Sequence, residues 1–457
     1  MNKAKIAFLL LSIVILFTGC EKNSKTTDEK VVREVPHKIF IHDLDEAWDA
    51  ILTQSTKEFI GNHPVDEGFL SYITGIYGES VVERIASFAE FTTPSIWRRS
   101  TGKSIHVLWY EYCNSTGVQS YGLDKTYCFD TKSSQEIVLD FTGDLTFADD
   151  VATTQYMEKQ PGKVLDCFSS NLIDEMQGAD VMVANNEFAY TKRGRAIPGK
   201  AYTFRADPSR VDYLGMLGID VVGIANNHVY DYDFIGFSDT IDTLESAKMP
   251  YIGAGRDINE ASKPIYIIAG GRKIALVAAT QIERSYNYTK EATEKSGGVL
   301  KCLEPSRFCE EIRLAKQNSD YCIVFVHWGT EGNEHYGADQ ISLANAFVNS
   351  GADVIIGGHT HCLQTVEYIG DVPVFYSLGN YYFSTTTNMP NAYDSGLAQI
   401  RIRSDGSIQP YFLPCRFDSG VTTLLSKDDN ANKRIINNLN ELSETATISS
   451  EGYVMKK

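Results

Sequence analysis

Positive charge is scarce in this chain: 42 lysines and arginines stand against 59 aspartates and glutamates, a formal charge of −17 over 457 residues. A surface of that sign repels a phosphate backbone, which excludes nucleic acid as a partner. Closely paired cysteines are missing too. None of the nine cysteines forms a CxxC pair, arguing against a structural zinc site or a thioredoxin-like centre. The run Thr101-Gly102-Lys103-Ser104 lacks the earlier glycine of a phosphate-binding loop, whose place is held by Trp97, so it reads as a turn before a strand. No internal repeat of roughly 20 to 50 residues is present. After the amino terminus no segment is apolar enough to span a bilayer.

What is present is globular in composition, with 43% hydrophobic and 22% charged residues. The length exceeds what one core usually organises, so two domains, or one large domain with appendages, are expected. Residues 1–19 have a basic start (Lys3, Lys5), an apolar stretch over 6–17, and Thr18-Gly19 ahead of Cys20. This resembles a lipoprotein signal, with Cys20 lipidated as the first mature residue. Residues 20–35 are polar and form a tether. The expected location is the extracytoplasmic face of the cell membrane, lipid-anchored. Loss of Lys3 and Lys5 with the signal takes the formal charge from −17 to −19. Cys113 with Cys128 and Cys302 with Cys309 are local pairs able to bridge in an oxidising compartment, whereas Cys322 and Cys362 read as buried thiols.

Between residues 39 and 89 apolar residues recur at helical spacing and predict about three amphipathic helices, followed by strands at 105–112 and 125–129. Residues 36–132 are therefore read as a mainly helical module with a hairpin. From Glu136 the pattern changes to short apolar runs alternating with helical segments, the mark of an α/β mixed sheet covered by helices. This body is assigned residues 136–386. Residues 387–457 complete it with a strand pair around the Asp405-Gly406 turn and a polar helix near Asn432.

The chemistry sits where the apolar runs end. Asp144 ends IVLDFTGD, Asn185 and Glu187 end VMVANNE, and Asn226, Asn227, His228 and Asp231 end VVGIANNHVYD. His327 ends CIVFVHW, and His359 and His361 follow DVIIGG. In α/β sheets ligands collect beyond the carboxyl ends of strands. Imidazole, carboxylate and amide oxygen together suit Mn, Zn or Fe rather than Ca or Cu(I). A divalent-metal site is thus expected. Arg205, preceded by Tyr202 and Phe204, offers a planar fork for an anionic substrate group.

These motifs, with Gly199-Lys200-Ala201-Tyr202-Thr203-Phe204-Arg205-Ala206, His327-Trp328-Gly329-Thr330-Glu331, Gly358-His359-Thr360-His361 and Tyr376-Ser377-Leu378-Gly379-Asn380, are similar in kind and order to those of the CapA family of capsule-synthesis proteins. The resemblance covers about residues 136–386. It implies a calcineurin-like metallophosphoesterase fold, a four-layer mixed-sheet sandwich, and a role with poly-γ-glutamate, hence an anionic polymer substrate and partners in the capsule machinery. Asp233, Thr360 and Gly332 depart from the family pattern. Where ordinary metallophosphoesterases carry Asp-x-His, this chain has Asp144-Leu145-Thr146. Mapping onto those enzymes implies Glu187, Asn227, His327 and His359 around one tightly held metal. Asp144, Glu187 and His361 would form a poorer sphere, its metal weak or absent. His228 becomes the acid or transition-state stabiliser, with Asp231 beside it. Three readings follow: a metal-dependent hydrolase or transferase on an anionic polymer, a phosphoesterase, and a non-catalytic scaffold of capsule export.

Overall fold

Several strands of this chain are apolar on both faces, and that property sets the number of layers. A computed structural model describes residues 67–86, 94–117, 125–282, 288–383 and 391–457. In it Val181 and Val183 face one core while Met182 faces another, and Ile323 and Phe325 face the first while Cys322 and Val324 face a third. Because side chains alternate along a strand, each such strand needs a covering layer on both sides.

The strands of the two main sheets are, in chain order, β1 (Thr126–Cys128), β2 (Glu136–Leu145), β3 (Val181–Asn186), β4 (Val221–Gly223), β5 (Tyr251–Ile252), β6 (Ile265–Ala269), β7 (Arg272–Thr280), β8 (Tyr321–His327), β9 (Val354–Gly358), β10 (Leu363–Ile369), β11 (Val372–Leu378), β12 (Asn380–Tyr382), β13 (Asp394–Arg403), β14 (Ile408–Asp418) and β15 (Val421–Leu424). One sheet runs β1-β6-β7-β8-β9-β11-β10; the other runs β15-β14-β13-β2-β3-β4-β5, with β12 beside β2. Ile137, Leu139 and Phe141 meet Ile274, Leu276 and Phe325 between the sheets. Leu172 and Met176 of a helix at Ser170–Gly178 and Phe237 and Ile241 of one at Asp233–Ser246 cover one outer face. Phe308 and Ile312 of a helix at Ser306–Gln317 and Leu343 and Phe347 of one at Ala338–Asn349 cover the other. The result is the expected four-layer α/β sandwich.

The centre of each sheet is parallel, so its loops diverge at one edge. Register pairs Asp144 with Asn185 in one sheet and His327 with both Thr280 and Gly358 in the other. The same edge of both sheets therefore presents the candidate ligands.

The amino-terminal part departs from expectation. Residues 105–112 are not a strand but lie within a helix, Ile105–Thr116. Their β-branched and aromatic content favours strand locally, and tertiary packing overrides it. Ile105, Leu108, Trp109 and Tyr112 fall on one helical face and fill a core with Phe69, Ile73 and Trp97. Ser104 accepts from Val107 N at the start, and Gly117, at φ 72°, closes the end. The Thr101-to-Ser104 turn thus precedes a helix. Among the described residues the expected hairpin is absent: β1 pairs in parallel with β6 and extends the main sheet. Helices at Glu67–Tyr77 and Glu79–Ala86 match the amphipathic pattern, while its part before residue 67, the signal and the tether lie outside the described residues. Cys128, Cys302 and Cys309 are free thiols, so neither local pair is bridged. The strand pair β13–β14 and a helix at Asn430–Leu442 are found where expected.

Asp140 on β2 is buried beyond reach of the site. Burial and the charge of Glu175 push its carboxyl up to about 8, against the weaker pull of Gln399, Arg401 and Lys132. The folded chain then holds a proton that the unfolded chain releases near pH 4, so this group's contribution to stability is lost as pH rises toward 8. Asp140→Asn should flatten that decline and stabilise the protein at pH 9 by about 1–2 kcal/mol. Urea midpoints of both proteins at pH 5 and pH 9 check this; parallel declines would refute it.

Candidate metal centre

Close backbone approach is the first requirement of the site, and two glycines permit it. A β-carbon on Gly143 would stand 2.0 Å from the carbonyl oxygen of Gly379, whose oxygen accepts from Asp144 N at 2.9 Å. One on Gly358 would stand 2.9 Å from Asp144 Oδ1. Asp144 can thus receive the backbone N–H of His359, at 3.2 Å to Oδ2. The turn that follows is strained: His359 has φ 96° and His361 φ 56°, a region non-glycine residues seldom occupy. Thr360 Oγ1 braces it by donating to Cys362 O at 2.8 Å.

After β4 an asparagine folds the opposing loop. Asn226 Oδ1 accepts from His228 N at 3.1 Å and Val229 N at 3.0 Å, while its Nδ2 donates to Asn185 Oδ1 at 3.0 Å. This turn brings Asn227 and His228 to the ends of the strands bearing Glu187 and His327.

Six of the expected residues converge there, all buried. Glu187, His327 and His359 form one group and Asp144, Glu187 and His361 a second, each with its donor atoms within 4.8 Å of one another. His327 Nε2 lies 2.8 Å from Asn227 Oδ1, 3.1 Å from His359 Nδ1 and 3.4 Å from Glu187 Oε1. His361 Nδ1 lies 3.4 Å from Asp144 Oδ2 and 2.9 Å from Asn380 Oδ1. Glu187, shared by both groups, is the pivot.

The electrostatics follow from this crowding. Burial, reinforced by the Asp144 charge, holds the Glu187 carboxyl well above the usual carboxylate range. For Asp144 burial is outweighed chiefly by the His361 hydrogen bond, with the His361 charge and the Asn185 hydrogen bond adding to it, and these hold it well below that range. Burial lowers His327 to about 3 and drives His359 well below an ordinary histidine. His361 is raised, since the Asp144 hydrogen bond and charge overcome its burial. His327 and His359 are therefore neutral imidazoles with lone pairs to offer at neutral pH. Glu187 Oε1 is buried without a hydrogen-bond partner, facing the imidazole of His327. An orphaned carboxylate oxygen among neutral imidazoles and an amide oxygen fits a divalent cation.

Beside this cluster His228 Nδ1 lies 2.7 Å from Asp231 Oδ2, and its Nε2 is 3.9 Å from Glu187 Oε1. Burial lowers His228 below an ordinary histidine, against the pull of Asp231. Phe204 packs 4.5 Å from the His228 ring and 5.3 Å from Phe383, which in turn lies 4.8 Å from the His361 ring. The two aromatics form an apolar wall over both imidazoles.

Asp231 touches no candidate ligand side chain but orients His228. Arg205 is not drawn into the cluster: its guanidinium lies over the Tyr232 ring at 4.7 Å, making no ion pair among the described residues. Asn185, a strand-end candidate given no role by the sequence, has its Nδ2 2.8 Å from Asp144 Oδ1 and 3.2 Å from His327 Nδ1, and Asn380, present in the sequence only as the end of a motif, lies beside His361. Asn185 lies near the end of β3 and Asn380 opens β12 just beyond the end of β11, so position at a strand end was the available signal. Lys200 was likewise quoted only as part of a motif, without a role. Cys20 lies outside the described residues.

Comparison with known proteins adds to this geometry. "Capsule biosynthesis protein CapA" of Bacillus anthracis is 32% identical over 219 residues, 46% of this chain and 52% of that protein, so the match spans about half the relative's length. "PGA biosynthesis protein CapA" of Bacillus subtilis is 28% identical over 311 residues, 67% of this chain and 80% of that protein. A 5'-nucleotidase structure from Candida albicans aligns over 64% of this chain and 53% of its own at 10% identity, with a TM-score of 0.35. The family profile described as bacterial capsule synthesis protein PGA_cap matches residues 138–385, more than half of the sequence and all of the candidate ligands, and the chain belongs to that family.

Proposed function

We propose that this protein is a metal-dependent hydrolase or transferase of capsule synthesis, acting on an anionic cell-surface polymer of the poly-γ-glutamate kind from a lipid anchor at Cys20. The observation that carries the reading is Glu187, a buried carboxylate with an orphaned oxygen between two sets of imidazoles. The polymer is suggested by the names of the Bacillus relatives.

Glu187, Asn227, His327 and His359 would hold one divalent cation tightly. Asp144, Glu187 and His361, one donor fewer, would hold a second weakly or not at all. Such a cation supplies Lewis acidity and a nucleophile drawn from water at neutral pH. The protein's own part begins with His228. Asp231 accepts from Nδ1–H, so the unprotonated Nε2 is turned toward Glu187, where it would take a proton from the attacking water and then pass it to the leaving amine or alkoxide. Phe204 and Phe383 keep bulk water from the imidazoles, which strengthens every charge interaction within. Arg205, which has no acidic partner among the described residues, would grip a carboxylate of the substrate through its fork. The acidic surface opposes a polyanion at long range, so recognition would rest on these local groups within a screening length of about 8–10 Å.

Two measurements bear on this. Saturating Mn(II) or Zn(II), near a hundredfold above Kd, should stabilise the protein by about 2.7 kcal/mol and raise its melting temperature. Glu187→Gln should abolish both that shift and the metal found by elemental analysis; a shift surviving in the variant would remove Glu187 from the site. In assays of the metal-loaded protein, poly-γ-glutamate should be shortened or transferred, with His228→Ala slowing turnover about 10²- to 10⁴-fold at unchanged metal content. Rapid hydrolysis of nitrophenyl phosphates alone would establish the phosphoesterase reading instead. Capsule formation unaffected by His228→Ala and His327→Ala would leave only the scaffold.

A further inference from the structure

Lys200 is neither a candidate ligand nor a proton donor to substrate, yet its ammonium is buried between the groups that are. Its side chain is 7% exposed. Nζ donates to Asp231 Oδ1 at 2.6 Å and also to the carbonyl oxygen of Asn227. Burial of an ammonium is strongly unfavourable unless its donors are used, so such a lysine is held by what it binds.

The other oxygen of the carboxylate shows what that binding does. Asp231 Oδ2 takes the His228 Nδ1 contact at 2.7 Å and accepts from Phe204 N at 2.6 Å. With Oδ1 engaged by Lys200, neither oxygen can turn away without breaking a charged hydrogen bond. The backbone of this segment is fixed as well, because Ile197 N donates to Asp231 O at 2.9 Å. The same ammonium fixes the Asn227 peptide, together with Thr289 Oγ1, which donates to Asn227 O at 2.9 Å. One side chain thus ties the orienting carboxylate of His228 to the backbone of the neighbouring residue.

We propose that Lys200 is a positioning residue: by clamping Asp231 it keeps His228 in the form protonated at Nδ1, with Nε2 directed at the site. This deepens, and rests on, the reading of His228 as the proton-transfer group. A lysine serving stability alone would leave the imidazole's tautomer indifferent to its removal. The carboxylate would still face the ring, held by Phe204 N.

The test reads the ring directly. Full-length protein labelled with ¹⁵N-histidine, metal-free and without substrate, gives long-range ¹H–¹⁵N spectra in which the two tautomers have distinct nitrogen shifts, with His228 assigned by comparison with His228→Ala. The wild type should show a single form protonated at Nδ1. Lys200→Met, with cooperative melting retained, should show a mixture of forms or averaged shifts. A folded Lys200→Met with the wild-type His228 pattern would overturn the proposal. Should that variant not fold, the wild-type spectrum still decides, since a His228 protonated at Nε2 alone contradicts the clamp. Because no turnover is measured, this outcome is independent of the His228→Ala assay, which tests the catalytic reading itself.

Discussion

Two carboxylates buried within reach of one another govern this molecule. Asp144 and Glu187 end adjacent strands of one sheet, and neither is exposed to water. Like charges so placed cannot both ionise unless something positive is brought to them. The protein brings part of the answer from the opposite sheet, in His327, His359 and His361, and another part from backbone, in the His359 N–H. The compensation is uneven. Asp144 has a histidine, an amide and a backbone donor, while Glu187 Oε1 has no hydrogen bond. Gly143 and Gly358 let the strand ends of the two sheets approach at this edge.

The four-layer arrangement follows from the same need. Bringing ligands from two sheets to one point requires their carboxyl edges to coincide, and a sandwich with parallel centres achieves this by packing. The inter-sheet core, Phe141 against Phe325 among others, sets the distance between the edges. Its integrity is therefore a condition of the site.

Much of this was legible in the sequence, for a physical reason. A strand buried on both faces reads as an uninterrupted apolar run, and a polar residue at its end stands out; Asp144, Glu187, Asn227, His327, His359 and His361 were visible on that ground. What the sequence concealed depends on long-range contact. Residues 105–112 carry strand-forming side chains, and only their packing against Phe69 and Trp97 makes them a helix. The roles of Lys200 and Asn185 are set by partners tens of residues away, at Asp231 and His327, and neither residue type signals that by itself. Arg205 illustrates the converse: its chemistry suited an anion, but a local pattern gives no side-chain direction, and the chain lays it on Tyr232.

Strain bears on whether the site works or merely survives. His359 and His361 both occupy positive-φ backbone, which costs about 1–3 kcal/mol at each non-glycine residue. Glycine would relieve that cost at either position. The same turn already spends a glycine where space demands it, at Gly358. A scaffold needing only this turn would be more stable with glycine in place of both histidines. The imidazoles stay in unfavourable backbone, buried and with their proton affinities displaced in opposite directions, beside a carboxylate whose Oε1 has no hydrogen bond. The backbone strain is thus retained at the two positions whose imidazoles line the cluster, and a cation at the proposed site would offset the unpaired carboxylate oxygen, which a turn serving only as scaffold would not need.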